Sequence, residues 1–269
     1  MDPVILISEN PTLRLIAATA PPTWERIPWG TPFDERRLCI ALCEERGFSS
    51  LPKTNCVAVF FDSVRQPELK LQTLGVPVVT LDAPQPGCHF LWTPVDAKLF
   101  KPMRYEDRKR IICPIRLKGY PYRQSIVTAL AAMGVEVIER DDDKRSYQDY
   151  IADLCSAKAV INFCADRKTG QPQMKGRVFE TLAAGALLLE EANPITSKLL
   201  VKGLDYWEWT NLADLGAVLE FAQKHPSAAK LAALDGQAAA RWYNHLFFWQ
   251  KVKDAGYNLL EWRAPDRAG

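Results

Sequence analysis

The sequence predicts an α/β fold of two Rossmann-like units, and three observations carry that prediction. Short apolar runs alternate with helical stretches closed by glycine, the rhythm of parallel strands joined by crossover helices. The rhythm occurs twice, over residues 56–82 and again over residues 110–190. Residues 83–102 interrupt it with Pro84, Pro86, Pro94 and Pro102 and read as a connection between domains. Two such units form a cleft, and in open parallel sheets ligands sit at the carboxyl ends of the strands.

The elements follow in order. Residues 4–7 are a short apolar strand and residues 13–18 a second one. Residues 20–33, with Pro21, Pro22, Pro28 and Pro32, form a long loop carrying Trp24 and Trp29. Asp34 then caps a helix over residues 34–46, closed by Gly47. A strand over 56–61 ends on Asp62, a helix over 67–74 closes on Gly75, and a strand over 76–81 ends on Asp82. The second unit reads as strand 110–115, helix 123–133, strand 135–139, helix 146–157, strand 159–163, helix 177–184 and strand 186–190. From Leu212 to about Trp262 the chain is helical in two or three pieces. The expected domains are 1–92 and 103–250, with 251–269 as a C-terminal helix and tail.

Composition excludes several classes. A net charge of +2 neither demands nor forbids a nucleic acid or acidic partner. Seven scattered cysteines without CxxC spacing fit reduced, buried thiols, not a disulfide framework or a zinc site. Three histidines, none at ligand spacing with another, leave a metal site little support. No basic-then-apolar leader and no run near the ~18 apolar residues of a membrane span are present, so a cytoplasmic protein is expected. No GxGxxG follows any strand, which counts against an NAD-dependent oxidoreductase.

The most informative segment is residues 159–185, AVINFCADRKTGQPQMKGRVFETLAAG. An apolar strand runs into a polar loop, and a helix then opens beside Lys175 and Arg177 with Glu180 one turn in. Unpaired amides and cations at a helix start suit a diphosphate. A carboxylate one turn deeper can accept two hydrogen bonds from a ribose diol. The plainer alternative makes Glu180 a helix-pairing residue and the cations ordinary surface charge. Asp141, Asp142 and Asp143 could be read as metal ligands, but at the start of a helix they are better explained by its dipole.

FETLAAGALLL, with the strand and loop before it, resembles the donor-binding segment of the group-one glycosyltransferases, which have the GT-B fold. An arginine three residues before the glutamate, Arg177, makes the spore-maturation-type branch the nearest match. The similarity runs from about Ile111 to Trp249. It includes the basic turn after a strand at residues 115–119, Arg123 opening a helix, and TPVDAKLFKP at residues 93–102. The resemblance implies two Rossmann-like domains across a cleft, a UDP-linked or similar nucleotide-sugar held by the second, and a C-terminal helix returning to the first. It assigns Glu180 to the donor ribose and Arg116, Lys118, Arg123, Lys175 and Arg177 to the diphosphate. Fixed cations can stabilise a leaving nucleoside diphosphate without a metal, so no cofactor is expected. Where many relatives carry a further glutamate, eight positions before Glu180, this chain has Pro172, and its first domain is short. A nucleotide-sugar-binding protein without transfer activity is therefore the alternative reading.

The first unit should supply the catalytic base, and Glu9, Asp34 and Asp62 all fall near strand–loop–helix junctions, with His89 a further candidate. Each carboxylate could instead cap a helix or turn, and for Asp34 the cap is the stronger reading. The run from Lys98 to Arg110, including Arg108, Lys109 and Arg110, is either a solvated face or a track for an anionic acceptor. With Trp24 and Trp29 it would admit a DNA acceptor whose hydroxymethylated base is flipped and stacked, by analogy with compact phage DNA glycosyltransferases.

Overall fold

The computed structural model describes residues 1–43, 51–52, 54–61, 63–65, 71, 74–117, 121–139, 146–166 and 169–257. The chain divides into two compact units. One comprises Met1–Val95, Gln173–Gly176 and Tyr243–Gly269, and the other Asp96–Pro172 with Arg177–Trp242.

The first unit is built on a six-stranded sheet. Its strands are β1 (Val4–Ile7), β2 (Glu25–Pro28), β3 (Cys39–Cys43), β4 (Cys56–Phe60), β5 (Val78–Thr80) and β6 (His89–Phe90). They lie in the order β2-β1-β3-β4-β5-β6, all parallel. β3 and β4 are buried along their whole length, as a parallel sheet covered on both faces requires. Alternate residues Cys39, Ala41, Cys43, Cys56, Ala58 and Phe60 share one apolar cluster. The thiols of Cys39, Cys43 and Cys56 are all free.

Two expectations about this unit are corrected. Residues 13–18 are helical, within α1 (Pro11–Ala18), because the Asn10 side chain caps Thr12 and Leu13 at 2.8 and 3.3 Å and Pro11 is preset for the first turn. Of the expected helix 34–46, residues 34–43 are described, and they begin with a turn and continue as β3 instead of forming a helix. The apolar run from Leu38 to Cys43 fits a strand buried on both faces, whereas a helix would expose half of it. Inside the proline-rich loop, β2 pairs with β1 at the sheet edge, where Pro28 is tolerated. Arg26 orders that loop by donating to the carbonyls of Ala17, Trp24 and Ala20.

The second unit holds β7 (Arg110–Ile115), β8 (Glu136–Glu139), β9 (Ala157–Asn162), β10 (Leu187–Glu191) and β11 (Trp207–Trp209). Their order is β11-β10-β9-β7-β8, again all parallel. Its helices are α2 (Pro121–Ala132), α3 (Tyr147–Ser156), α4 (Arg177–Ala183), α5 (Leu212–Lys224) and α6 (Pro226–Trp242). β11 was not expected from the sequence, which read no strand between residue 190 and Leu212.

The last helix, α7 (His245–Gly256), packs on β3, β4 and β5 of the first unit. Phe248, Trp249, Val252 and Ala255 form its buried face. Trp24 meets Trp249 edge-on at 5.9 Å, and Trp249 donates its indole N–H to Thr19 at 2.9 Å. Among the described residues no helix is long and apolar enough to cross a membrane.

In α6, Gly236 marks a close approach. A Cβ there would lie 2.6 Å from the Asp205 carbonyl oxygen and 2.7 Å from a Leu182 methyl. A backbone oxygen cannot yield as a side chain can, so Gly236→Ala should destabilise by about 1–3 kcal/mol despite its better helix propensity. At Gly216 in α5 the nearest atom is the Met133 methyl at 3.9 Å. Gly216→Ala should therefore stabilise by about 0.5–1 kcal/mol. Thermal denaturation followed by circular dichroism should move the two melting temperatures in opposite directions.

Candidate donor-binding site

Strand order locates the crevices. In the second sheet the chain passes from β7 to β8 on one side and then to β9 on the other, so the direction reverses between β7 and β9. At such a switch point the crossover helices diverge and leave a crevice at the carboxyl ends. Arg116 follows β7 there and is exposed, and Asn162 ends β9. In the first sheet the reversal lies between β1 and β3. Glu9 follows β1 at that end and is exposed.

Between β9 and α4 the described residues include an antiparallel bridge. Ala165 bridges Pro172, Asp166 accepts from Thr169, and Gly170 turns the chain at φ +67°. Pro172 thus occupies a bridge position where many relatives of the resembled family have a carboxylate. α4 has only seven residues, so its dipole is small and the cationic side chains matter more than its amides. Arg177 opens α4, and its Nη1 donates to Asn162 Oδ1 at 3.2 Å. The Arg177 Nε is buried without a hydrogen-bond partner among the described residues.

Glu180 stands one turn into α4. Its two carboxylate oxygens accept from different tyrosines of α3, Oε1 from Tyr147 and Oε2 from Tyr150, each at 2.9 Å. Neither tyrosine was singled out from the sequence. The available signal was two tyrosines at i and i+3 behind the N-cap Ser146, which puts both rings on one helix face.

A second carboxylate was also missed. Glu190, near the end of β10, is fully buried. Its Oε2 accepts from Asn162 at 2.7 Å, and its Oε1 accepts from Asn193 and Thr196 at 3.3 and 3.2 Å. With its amide nitrogen donating to Glu190, Asn162 turns its amide oxygen toward Arg177. Glu190 therefore sits behind Arg177 with one residue between them. Burial raises the Glu190 pKa to about 7, against the lowering effect of its three hydrogen bonds.

The remaining expected residues fall as follows. Lys118 and Asp62 lie outside the described residues, as do Asp141, Asp142 and Asp143. Arg123 is in the first turn of α2, and Lys175 is half-buried in the segment Gln173–Gly176. Among the described residues no cluster of metal-ligating side chains occurs. Asp34 lies before β3, at the amino edge of the sheet, where it pairs with Arg36 at 2.8 Å. Its hydrogen bonds from Arg36 hold its pKa down to about 2, which leaves it a weak base. His89 is on the edge strand β6, with its pKa lowered by burial.

In the basic run Lys98, Lys101, Arg104 and Lys109 are exposed, whereas Arg108 and Arg110 are engaged in the fold. Arg108 is buried and donates to the carbonyls of Met103, Ala157 and Gly185. Arg110 is engaged by Glu136 at 2.7 Å and Asp153 at 3.2 Å. Only Lys109 of the three projects into solvent. Trp24 is buried against α7, and Trp29, half-buried, packs on the first core.

The Glu190 environment has a measurable consequence. Its pKa is raised from an ordinary 4.5 to about 7, so the folded state holds a proton that the unfolded state has released. That contribution is full below pH 4.5, falls as pH rises through the window and is gone above about 7. It amounts to roughly 3 kcal/mol at most. Urea unfolding at pH 5 and pH 7.5 should show a smaller pH difference in Glu190→Gln than in the unsubstituted protein.

No curated protein matches the sequence. Solved structures share the fold. A glycosyltransferase from Rickettsia africae ESF-5 superposes with a TM-score of 0.58 at 9% identity, covering 95% of this chain and 90% of its own. Anabaena Alr3699/HepE, solved in complex with UDP-glucose, gives a TM-score of 0.62 at 11% identity, covering 96% and 100%. An alpha1,3-fucosyltransferase gives 0.54 at 9% identity over 94% and 90%. The two parallel, Rossmann-like sheets are those of GT-B glycosyltransferases. Residues 97–247, more than half of the sequence, match the model of the glycosyl transferase-like family, to which this chain belongs.

Proposed function

We propose that the protein transfers a sugar from a nucleotide-sugar donor to an acceptor hydroxyl, with the donor held at the carboxyl edge of the second sheet. The observation that carries this reading is Glu180, inside the family-matching region, its carboxylate fixed in place by two tyrosines. In this reading Glu180 accepts the ribose hydroxyls. Arg116, Lys118, Arg123, Lys175 and Arg177 offset the charge of the diphosphate, with Arg177 set by Asn162. As the glycosidic bond breaks, negative charge grows on the departing diphosphate, and these cations stabilise it in place of a metal. Alr3699/HepE holds UDP-glucose and a related alpha1,3-fucosyltransferase structure holds GDP, which supports the nucleotide-sugar class and names the first donors to try. Arg177 before Glu180 supports placing the chain near the spore-maturation-type branch.

Of the base candidates, Glu9 is favoured. It occupies the carboxyl edge of the first sheet at its switch point, whereas Asp34 lies at the opposite edge. Of the residues considered for a DNA acceptor, Arg108, Arg110 and Trp24 are engaged within the fold and lend that acceptor no support.

Glu180→Ala should leave the fold intact and weaken binding of the active nucleotide-sugar. Two charge-assisted hydrogen bonds are worth roughly 2–4 kcal/mol, or tens- to several-hundred-fold in affinity by calorimetry. Unchanged affinity would remove Glu180 from the site.

Labelled UDP- and GDP-sugars should be turned over, and turnover should persist in excess EDTA. Glu9→Gln should lower kcat while donor affinity holds. Binding without turnover in the unsubstituted protein would mark the chain as a nucleotide-sugar-binding protein instead.

A further inference from the structure

We propose that Tyr147 and Tyr150 are positioning residues that hold the Glu180 carboxylate ready for a vicinal diol and so make the site select ribose over 2′-deoxyribose nucleotides. The proposal rests on the reading of Glu180 as the ribose acceptor and extends it to two residues of a different helix.

The geometry begins at the start of α3. Ser146 accepts from the Asp149 backbone N–H at 3.1 Å, which fixes the first turn. Tyr147 and Tyr150 then project from one face, with ring centroids 6.1 Å apart. Tyr150 is buried and Tyr147 half-buried, so neither ring swings freely. Each hydroxyl donates to a different oxygen of Glu180 at the same 2.9 Å.

Two consequences follow from the hydrogen-bonding capacity of the groups. A carboxylate offers about four acceptor positions, two on each oxygen. With one on each oxygen taken by a tyrosine, one on each remains, and this pair suits two hydroxyls on adjacent carbons. The tyrosines also remove rotational freedom from a side chain with three torsions, so ordering it is not left to the moment of binding. A ligand lacking one hydroxyl leaves a fixed acceptor without its donor, and a site built to bond a hydroxyl rejects an analogue that lacks it.

The test compares UDP with 2′-deoxy-UDP, and GDP with 2′-deoxy-GDP, by calorimetry. The unsubstituted protein should prefer the ribose form of its nucleotide by about tenfold or more, the range of one hydrogen bond to a charged group. Glu180→Ala should bring the ratio close to one. Tyr147→Phe with Tyr150→Phe keeps both rings and should cut the ratio severalfold, with each single change giving part of the effect. A ratio preserved in the phenylalanine variants but lost in Glu180→Ala overturns the proposal and leaves the donor reading standing. An equal loss of affinity for both sugars marks a merely structural effect and also overturns it. Absence of any preference in the unsubstituted protein, for both bases, removes the ribose role of Glu180 and the proposal with it.

Discussion

Parallel strand pairing is the constraint on which the rest of this protein depends. Among the described residues every pairing between strands in the two sheets is parallel. Parallel neighbours cannot be joined by a tight turn, so each connection must cross the sheet and return. Those crossovers cover the faces, and the central strands become apolar on both sides. Where strand order reverses, the crossovers part and leave the carboxyl edge open. The polar residues that matter, Glu9 in one unit and Arg116, Asn162, Arg177 and Glu190 in the other, lie at or just beyond strand ends for that reason.

Two carboxylates near that edge show how surroundings divide the labour. Glu180 is half-buried and meets two phenolic hydroxyls, which leaves acceptor positions open. Glu190 is fully buried and meets two amides and a hydroxyl, and its charged form bears the cost of lost water. One is suited to meet a ligand, and the other to orient Asn162 and, through it, Arg177.

The cations divide similarly. Arg108 spends its guanidinium on backbone carbonyls at the ends of three segments, and burial pulls its pKa downward. These carbonyls come from residues far apart in sequence, so Arg108 acts as an internal tie. Arg26 does the same for the loop before β2. A planar group with five donors suits this task better than lysine would.

The sequence by itself determined the α/β class, the second unit's run of strands and helices as far as β10, and the place of Glu180 one turn into α4. Those features rest on local signals: apolar runs, closing glycines, and spacing along one helix. The strand at Cys39–Cys43 and the helix at Pro11–Ala18 were misread because short apolar runs fit either state until neighbours choose. Only the tertiary structure decided which charges were available. Arg108, Arg110 and Lys109 read alike as a basic run, yet one is buried, one is paired across strands and one is exposed. Likewise Tyr147 and Tyr150 acquire their role from Glu180, some thirty residues away, and Glu190 from an asparagine on another strand. Hydrogen-bond partners distant in sequence leave no periodic trace along the chain, so folding alone brings them to the same edge of the sheet.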